Sequence, residues 1–369
     1  MIEYPNRRGK SIKKPVLLTM TPFFRILKVK ISLTERKFIM VRFAVIGTNF
    51  ITDYVLGAAQ SCPDFKLMAV HSRREERARE YAEQWGAPLW FTDLESVAAC
   101  PEVDAVYIAT PNYSHKEYAI QMMRAGKHVL VEKSGAANAR EWEQMMEVAK
   151  ENNVVLLEAV RTAFNPNYAR IREALPKLGT LRRAILSSCS YSRRYDNFKQ
   201  GIIENAFVPE LANGALMDLG VYTMNFMTGL FGMPQDITAA AIKLHNGLDG
   251  VGMITASYET MLVTMFYGKV APSANHCEIQ GEEGYMTIQG MSAPMKVSIT
   301  YRDGTTEELP LEDIPFRKDL AYEVQAFIEM IQKADGSEAP FNARSLTSFK
   351  VMDRAREIMG MHFPNDDIV

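Results

Sequence analysis

From Val41 onward, short apolar segments alternate with segments of helical periodicity, and this alternation is the strongest constraint on the fold. Such a pattern is typical of a parallel sheet covered by helices. The strand-like segments lie at 41–46, 65–71, 89–91, 105–109, 128–131 and 154–158. Six strands joined by five crossovers predict a Rossmann-type dinucleotide-binding domain over residues 40–160.

The pattern changes after Pro166. A helix is predicted at 167–178, and strand-like segments follow at 181–190, 238–245, 252–259, 261–268, 276–280, 285–289 and 295–301. Gly, Asn or Asp turns separate them, and the later strands have no helices between them, so we expect antiparallel pairing. The predicted fold class is α/β, with a C-terminal α+β domain at 161–342 that carries a large, mainly antiparallel open sheet. A helix within 343–369 is expected to pack back on the first domain.

Residues 1–39 differ from the rest in charge. They hold ten Lys or Arg against two Glu, a net charge of +8, which leaves −10 of the total of −2 for residues 40–369. A targeting peptide is one interpretation, and a disordered basic extension ahead of Met40 is the one we prefer. The acidic remainder lacks the concentrated basic face that nucleic-acid binding requires, so no nucleic-acid partner is expected.

Cysteine and histidine usage excludes further classes. Four widely spaced cysteines are too few for a disulfide framework, which indicates reduced thiols and a cytoplasmic protein. Six scattered histidines show no metal-ligand spacing, so no metal site is expected. No apolar run approaches the roughly 20 residues that span a bilayer, so no membrane partner is expected either.

The turn after the first strand is the candidate phosphate site. A helix N-terminus offers free N–H groups and partial positive charge to a pyrophosphate. Of the glycine fingerprint of such turns, only Gly47 is present; Asn49, which tolerates a left-handed conformation, and Thr52 replace the others. The turn alone fits a dinucleotide site and an ordinary tight turn about equally. The predicted contacts here are Gly47, Thr48, Asn49, Phe50 and Ile51.

The end of the second strand bears on the choice of cofactor. NAD is normally held by an acidic residue here, but this chain has Ser72 and Arg73. A hydroxyl and a planar guanidinium suit a 2′-phosphate, which favours NADP over NAD. The alternative is that Arg73 only begins a solvated, charged helix.

A lysine stands at the end of the fifth strand. The segment His128 to Gly135 runs from apolar strand residues into Glu132 and Lys133. Open α/β sheets bind ligands at the carboxyl ends of their strands, so Lys133 should face a crevice. Because Ser134, not proline, follows the lysine, we expect a trans Lys133–Ser134 peptide bond.

Motifs at two neighbouring strand ends resemble those of one family. Thr110, Pro111, Asn112 and His115 form a T-P-N-x-x-H motif, and Glu132-Lys133 is similar to an E-K-P motif. Both are typical of the glucose-fructose oxidoreductase, inositol dehydrogenase and rhizopine-catabolism family (Gfo/Idh/MocA).

Two later stretches extend this resemblance. Leu211 to Tyr222, LANGALMDLGVY, is similar to the family's G-G-G-A-L-x-D-x-G-x-H/Y. Glu158 to Pro166, EAVRTAFNP, resembles the E-A-I-W-x-R-F-x-P stretch of its dihydrodiol and xylose dehydrogenase branch, although Arg161 and Ala163 depart from it. The resemblance covers residues from about 41 to the C-terminus.

The resemblance implies a nicotinamide-dependent oxidoreductase acting on a CH–OH group of a sugar, polyol or cyclic diol. It implies that Lys133, Asp218 and Tyr222 lie at the reacting carbon. It also implies a homodimer or homotetramer formed through the C-terminal sheet. The further cofactor contacts would be Thr110, Pro111, Asn112, His115 and Glu132, with Asn112 and His115 near the nicotinamide ribose, and the substrate contacts would be Arg161 and Phe164.

Such a reaction needs a group that gives or takes the hydroxyl proton. Asp218 and Tyr222 are four residues apart, so on a helix both point from one face. We expect Tyr222 to exchange the proton, Lys133 to lower its pKa, and Asp218 to orient the substrate or the lysine. In the competing interpretation, Tyr222 is a core aromatic and Asp218 a helix cap.

Two further questions stay open. The segment containing Arg193, Arg194 and Tyr195 is either part of a substrate loop or a solvated turn. The missing glycine and proline also allow a second function, a nucleotide-binding sensor or regulatory protein of the same fold without turnover.

Overall fold

The computed structural model describes residues 40–367, and its first sheet matches the predicted Rossmann topology. All neighbours in the order β3-β2-β1-β4-β5-β6 pair in parallel. The alternation of strand and helix therefore predicted this domain correctly. Its strands are β1 (Val41–Ile46), β2 (Phe65–His71), β3 (Leu89–Phe91), β4 (Ala105–Ile108), β5 (His128–Glu132) and β6 (Leu156–Ala159).

Five helices connect these strands: α1 (Phe50–Ala59), α2 (Glu75–Trp85), α3 (Leu94–Ala99), α4 (His115–Arg124) and α5 (Ala139–Glu151). The side chain of Asn138 accepts a hydrogen bond from the Glu141 amide and caps α5. Thr92 precedes α3 but is not its cap. Asp93 caps that helix instead, because its carboxylate accepts from the Ser96 amide at 2.7 Å.

The second sheet has eight strands in the order β14-β13-β12-β11-β7-β10-β9-β8. Its pairs are antiparallel except β7 with β10, which are parallel, and the roughly 70 residues between them provide the crossover that a parallel pair needs. A short edge strand, β14, was missed. The strands are β7 (Leu181–Cys189), β8 (Asp236–Lys243), β9 (Asp249–Ser257), β10 (Leu262–Gly268), β11 (Cys277–Gly281), β12 (Gly284–Gln289), β13 (Lys296–Tyr301) and β14 (Thr306–Glu308).

Helices cover one face of the second sheet. The helices between β6 and β8 are α6 (Arg161–Phe164), α7 (Pro166–Ala174), α8 (Arg194–Lys199) and α9 (Val221–Phe231), of which α7 and α9 pack on the sheet. Met224, Phe226 and Met227 of α9 are fully buried in one apolar cluster with Met265 and Tyr267 of β10. Burial of this apolar surface fixes α9, which carries Tyr222, against the sheet.

Two last helices, α10 (Leu320–Lys333) and α11 (Ala339–Ile358), close the chain. The predicted boundary at residue 342 grouped α10 with the second sheet, but its Phe327 packs on Phe43 of β1 in the core of the first sheet. Helix α11 contacts both halves: Phe349 packs on Trp142 of α5, and Ser348 bonds Thr228 of α9. Over residues 40–367, no helix combines the length and the apolar character needed to span a membrane.

Candidate active site

The phosphate turn fits a dinucleotide through a glycine and a capped helix. Gly47 has φ +107°, and a Cβ there would collide with the carbonyl oxygen of Ala109. Asn49 is extended (φ −106°), so the expectation that it tolerates a left-handed conformation does not apply. It caps α1 by accepting from the Ile51 amide at 3.0 Å and donates to the Ala109 oxygen at 2.6 Å. Because Gly47 has no side chain, the turn packs closely against Ala109, and the N-terminus of α1 stays available for a pyrophosphate.

An arginine that the sequence did not single out supports the same turn. Arg77 of α2 donates from Nε to the Thr48 hydroxyl at 3.1 Å and from a terminal nitrogen to the Thr48 carbonyl oxygen at 2.9 Å. Its guanidinium lies over the ring of Tyr81. In sequence it belongs to a charged run that resembles a solvated helix face, so periodicity alone gives no sign of this role.

Ser72 and Arg73 lie just beyond β2, as predicted. The Ser72 amide donates to the Phe91 carbonyl oxygen at 3.2 Å, which holds the loop against β3. Helix α2 begins at Glu75, so Arg73 precedes it and its exposed side chain lies at the strand end. This position suits the recognition of a phosphate on the adenosine ribose.

A cleft of about 610 Å³ brings most of the predicted residues together. Its lining includes Asn49, Phe50, Ile51, Thr110, Pro111, Asn112, Glu132, Lys133, Asp218 and Tyr222. The ends of β1, β4 and β5 form one wall, and segments that follow β7 form the other. Of the predicted residues, Gly47, Thr48, Ser72, Arg73, His115, Arg161 and Phe164 are outside this lining.

His115 lies behind the cleft, not in it. The imidazole is fully buried, and its two nitrogens face the carbonyl oxygens of Ser134 and Thr110, each at 2.8 Å. Burial lowers its pKa to about 4. The expected contact with the nicotinamide ribose is therefore not supported. His115 instead ties the loop after β4 to the loop after β5.

The Lys133–Ser134 peptide bond is cis, so the expectation of a trans bond was wrong. The surrounding contacts hold Ser134 from both sides. Its hydroxyl donates to the Met217 carbonyl oxygen at 2.9 Å, and its own carbonyl oxygen faces His115. The residue is fully buried, so this loop is fixed by its neighbours and not by proline.

Lys133, Asp218 and Tyr222 meet in the cleft. The Lys133 ammonium donates to Asp218 Oδ1 at 2.9 Å and to the Asp218 carbonyl oxygen at 2.8 Å. It also lies 5.1 Å from the centre of the Tyr222 ring. Asp218 belongs to a π-helical turn, Leu216–Gly220, that runs into α9, and this turn directs both side chains to Lys133.

The charges of these groups follow from their neighbours. Burial opposes the charge of Lys133, but its neighbours together, Asp218 foremost, outweigh burial and raise the lysine pKa above its usual range. Desolvation also opposes ionisation of Asp218, yet Lys133 and Lys269 hold its pKa well below the usual range. For Tyr222, burial outweighs the nearby lysine and raises the pKa. Lys133 does act to lower the Tyr222 pKa, but the predicted net lowering was wrong because burial is the larger effect, and the hydroxyl carries a proton at neutral pH.

Two buried acids, Glu132 and Glu323, lie close to each other, and Glu132 directly precedes Lys133. Tyr107 donates to Glu132 Oε1 at 3.2 Å, and burial raises the pKa of Glu132 to about 7. Burial, together with Glu132, raises the pKa of the fully buried Glu323 well above its usual range. Among the described residues, neither carboxyl oxygen of Glu323 has a hydrogen-bond partner. Sequence reasoning missed Glu323 because α10 was grouped with the other sheet.

The two predicted substrate residues have different surroundings. Arg161 pairs with the buried Asp319 at 2.6 Å and lines a cavity of about 250 Å³ next to Tyr222. Two hydroxyl-bearing residues, Ser188 and Ser190, line the same cavity. Phe164 instead stacks on Phe341, with ring centroids 4.8 Å apart, in the core of the first sheet. A direct substrate contact by Phe164 is therefore not supported.

The second wall holds the residues that sequence reasoning left open or missed. Arg194 of α8 lies over the ring of Phe50 at 5.6 Å and pairs with Glu204 at 3.2 Å, so its segment lines the cleft. Arg317 borders both the cleft and the cavity beside Tyr222. Lys269 follows β10 and pairs with Asp218 at 3.1 Å. In the sequence, the only sign of this role is that Lys269 directly follows an apolar strand.

Comparison with known proteins agrees with this geometry. The model of the GFO_IDH_MocA oxidoreductase family, an NAD-binding Rossmann fold, matches residues 41–160, and the model of the GFO/IDH/MocA C-terminal domain matches residues 174–287. The chain is 45% identical to a scyllo-inositol 2-dehydrogenase (NADP(+)) of Bacillus subtilis over 89% of its own length and 99% of the relative.

More distant proteins share the same architecture. A trans-1,2-dihydrobenzene-1,2-diol dehydrogenase of Mus musculus is 27% identical, over 88% of this chain and 99% of the relative. The crystal structure of a 3-ketoreductase from Actinomadura kijaniata with NADP is 22% identical with a TM-score of 0.74, covering 87% of this chain and 98% of that one. At this identity the structural likeness concerns the fold alone.

Proposed function

Because the chain belongs to the Gfo/Idh/MocA oxidoreductase family, we propose that it transfers hydride between NADP and a secondary alcohol or carbonyl of a polyol, sugar or cyclic diol. The observation that carries the proposal is the meeting of Lys133, Asp218 and Tyr222 in the cleft that begins at the α1 N-terminus. All three polar groups are present, which favours an enzyme over a sensor without turnover.

The cofactor would lie along the first wall. The turn at Gly47 and the N-terminus of α1 would hold its pyrophosphate, and Ser72 and Arg73 would hold a 2′-phosphate. When bound, the nicotinamide supplies or accepts the hydride. The NADP dependence in the name of the Bacillus subtilis relative supports the choice of NADP over NAD.

The side chains of the cleft would handle the proton and the charge. In the reducing direction, the substrate carbonyl gains negative charge on oxygen, which the Lys133 ammonium stabilises. Tyr222 carries a proton at neutral pH and gives it to that oxygen. In the oxidising direction Tyr222 must first release this proton to solvent, and its phenolate then takes the hydroxyl proton of the substrate. Asp218 fixes the lysine by accepting from its ammonium.

The substrate would occupy the cavity beside Tyr222, where Ser188, Ser190 and Asn275 offer groups that can bond several hydroxyls. Arg161 lines the same cavity and would contact the substrate there. The similarity to an inositol dehydrogenase favours a cyclic polyol.

A substrate panel tests the proposal. Inositols, sugars and cyclic trans-diols are offered with NADP and with NAD, and the appearance of reduced nicotinamide is followed at its absorbance maximum. We expect turnover with NADP and at least one cyclic polyol. Tight cofactor binding without turnover across the panel would instead establish the sensor function.

We also propose that the second sheet forms a homodimer or homotetramer. Its outer face exposes an apolar patch, since Ile242, Val251, Met253, Leu262 and Phe266 lie on the same side of three neighbouring strands. An exposed patch of this kind is typical of an interface. Light scattering of the protein and of a Met253→Asp/Phe266→Asp variant tests this, because the variant should have the lower mass.

We propose the cytoplasm as the location of the protein, because its four unpaired cysteines suit a reducing compartment.

A further inference from the structure

A second lysine, Lys269, contacts the proposed catalytic group from the side opposite Lys133. It follows β10 directly and is almost fully buried, with 1% exposure. Its ammonium pairs with Asp218 Oδ2 at 3.1 Å and donates to the Ala206 carbonyl oxygen at 2.9 Å. It also lies 4.7 Å from the centre of the Phe207 ring. A buried lysine with these three contacts has one fixed position.

Each of the two lysines contacts one oxygen of the Asp218 carboxylate. Lys133 takes Oδ1 at 2.9 Å, and Lys269 takes Oδ2. The carboxylate cannot rotate about its last bond without breaking one of these contacts. Because the lysines come from different sheets, the orientation of Asp218 depends on both halves of the molecule.

Lys269 also connects Asp218 to the second wall of the cleft. Asn205 and Ala206 line that wall, and the carbonyl oxygen of Ala206 is the Lys269 acceptor. The adjacent Phe207 is fully buried and its carbonyl oxygen accepts from Asn246 at 2.7 Å. The wall segment is therefore anchored at Phe207 as well as by its contact with Lys269.

We propose that Lys269 is a positioning residue for the reaction: it holds Asp218 Oδ2 so that Oδ1 stays on Lys133, and it ties this pair to the cleft wall at Ala206. The inference rests on the proposed function. Lys269 itself touches neither the cofactor nor the substrate, so it acts through Asp218. The charged neighbours of the pair are Glu132 beside Lys133 and the buried Asp249, which accepts from the Leu216 amide.

Crystal structures of the wild type and of Lys269→Met test the geometry without any assay of turnover. Methionine keeps most of the apolar length of lysine and removes the charge. We expect the Asp218 carboxylate to rotate and its contact with Lys133 to lengthen beyond hydrogen-bond distance. An Asp218 that keeps its position on Lys133 in the variant would overturn the inference. If Lys269→Met does not fold, Lys269→Gln serves in the same comparison.

Kinetics then separate positioning from structural support. We expect Lys269→Met to lower kcat about 10- to 100-fold, as small misplacements of a reacting group do, while KM for NADPH stays unchanged. Lys269→Arg should recover much of kcat because it keeps the charge. Lys243→Met is the matched control, since Lys243 also donates to a carbonyl oxygen, that of Gly360, from an exposed position on the same sheet.

The outcomes distinguish the two proposals. A wild type without turnover on the polyol panel would refute the proposed function, and the crystallographic comparison would still decide the role of Lys269. An active wild type whose kcat is unchanged by Lys269→Met would refute the positioning role alone.

Discussion

The two walls of the cleft are held by different kinds of contact. In the first wall, side chains bond main-chain oxygens of neighbouring strand ends: Asn49 donates to Ala109, and His115 faces Thr110 and Ser134. In the second wall, ion pairs dominate, as between Lys269 and Asp218 and between Arg194 and Glu204. The first wall is therefore fixed by the sheet itself, whereas the second depends on charges brought together by tertiary packing.

This difference suggests a division of labour. A wall built on strand ends keeps its shape with or without a ligand and suits the binding of an invariant cofactor. A wall built on ion pairs in a partly dry cleft responds to each charge placed near it. We expect changes in the first wall to alter cofactor binding and stability, and changes around Asp218 to alter turnover.

Tyr222→Phe should give the largest effect. Removing the hydroxyl removes the proposed proton donor and leaves the ring against Lys133, so kcat should fall by about two to four orders of magnitude while NADPH affinity persists. Steady-state kinetics and fluorescence titration of NADPH measure the two quantities. Tyr113→Phe is the control, because Tyr113 is exposed beside Asn112. Full turnover in Tyr222→Phe would show that the proton comes from another group.

Glu132→Gln tests an acid of the first wall whose pKa is raised. Since the folded-state pKa of about 7 exceeds the ordinary 4.5, ionisation costs stability, and this loss accumulates as the pH rises from 4.5 to 7. Glutamine never ionises and still accepts from Tyr107. The variant should therefore gain about 3 kcal/mol relative to wild type between pH 4.5 and 7.5.

Urea unfolding across this pH range measures the gain. Glu147→Gln, an exposed change on α5, should show no pH-dependent difference from wild type. A Glu132→Gln variant whose stability runs parallel to wild type at every pH would mean that Glu132 ionises normally and that the first wall is wetter than the structure indicates.

The first wall is also the part that could be predicted from sequence. Strand bounds follow from apolar runs, and residues that directly follow a parallel strand must lie at the same sheet edge; this was enough to bring Lys133, Asn112 and Phe50 into one cleft. Details failed where a local contact decided them. His115 turned inward because two carbonyl oxygens meet its ring, and Asn49 stayed extended because its side chain caps α1.

The second wall could not be predicted in the same way. Lys269 lies 51 positions after Asp218, and only the packing of β10 beside the π-helical turn brings them together. Phe164 failed as a substrate contact for a similar reason, since its partner Phe341 belongs to α11. Pairings between distant segments leave no periodic signal, so a single sequence does not reveal them.

Arg73→Met tests cofactor choice at the outer end of the first wall. If Arg73 binds the 2′-phosphate, losing a charged hydrogen bond should raise KM for NADP about 10- to 100-fold and leave KM for NAD unchanged. Arg74→Met is the matched control, because Arg74 is an equally exposed neighbour. Equal effects of both variants on both cofactors would assign these arginines to general surface charge.

Asn112→Ala tests the smallest of these effects, at a contact that joins the walls. Asn112 Nδ2 donates to the Ala212 carbonyl oxygen at 2.9 Å, from the loop after β4 to the segment before Asp218. Because the site borders the cleft, water can replace the lost donor, so the cost should be only about 1 kcal/mol of unfolding free energy.

Asn152→Ala is the control. It removes a similar bond, from Asn152 to the Val148 carbonyl oxygen, which does not link the two walls. If the bond from Asn112 to Ala212 holds the walls together at the cofactor site, Asn112→Ala should also raise KM for NADPH, whereas Asn152→Ala should not. Equal KM values in the two variants would mean that the walls are held together elsewhere, which leaves the Lys133–Asp218 pair as the main link.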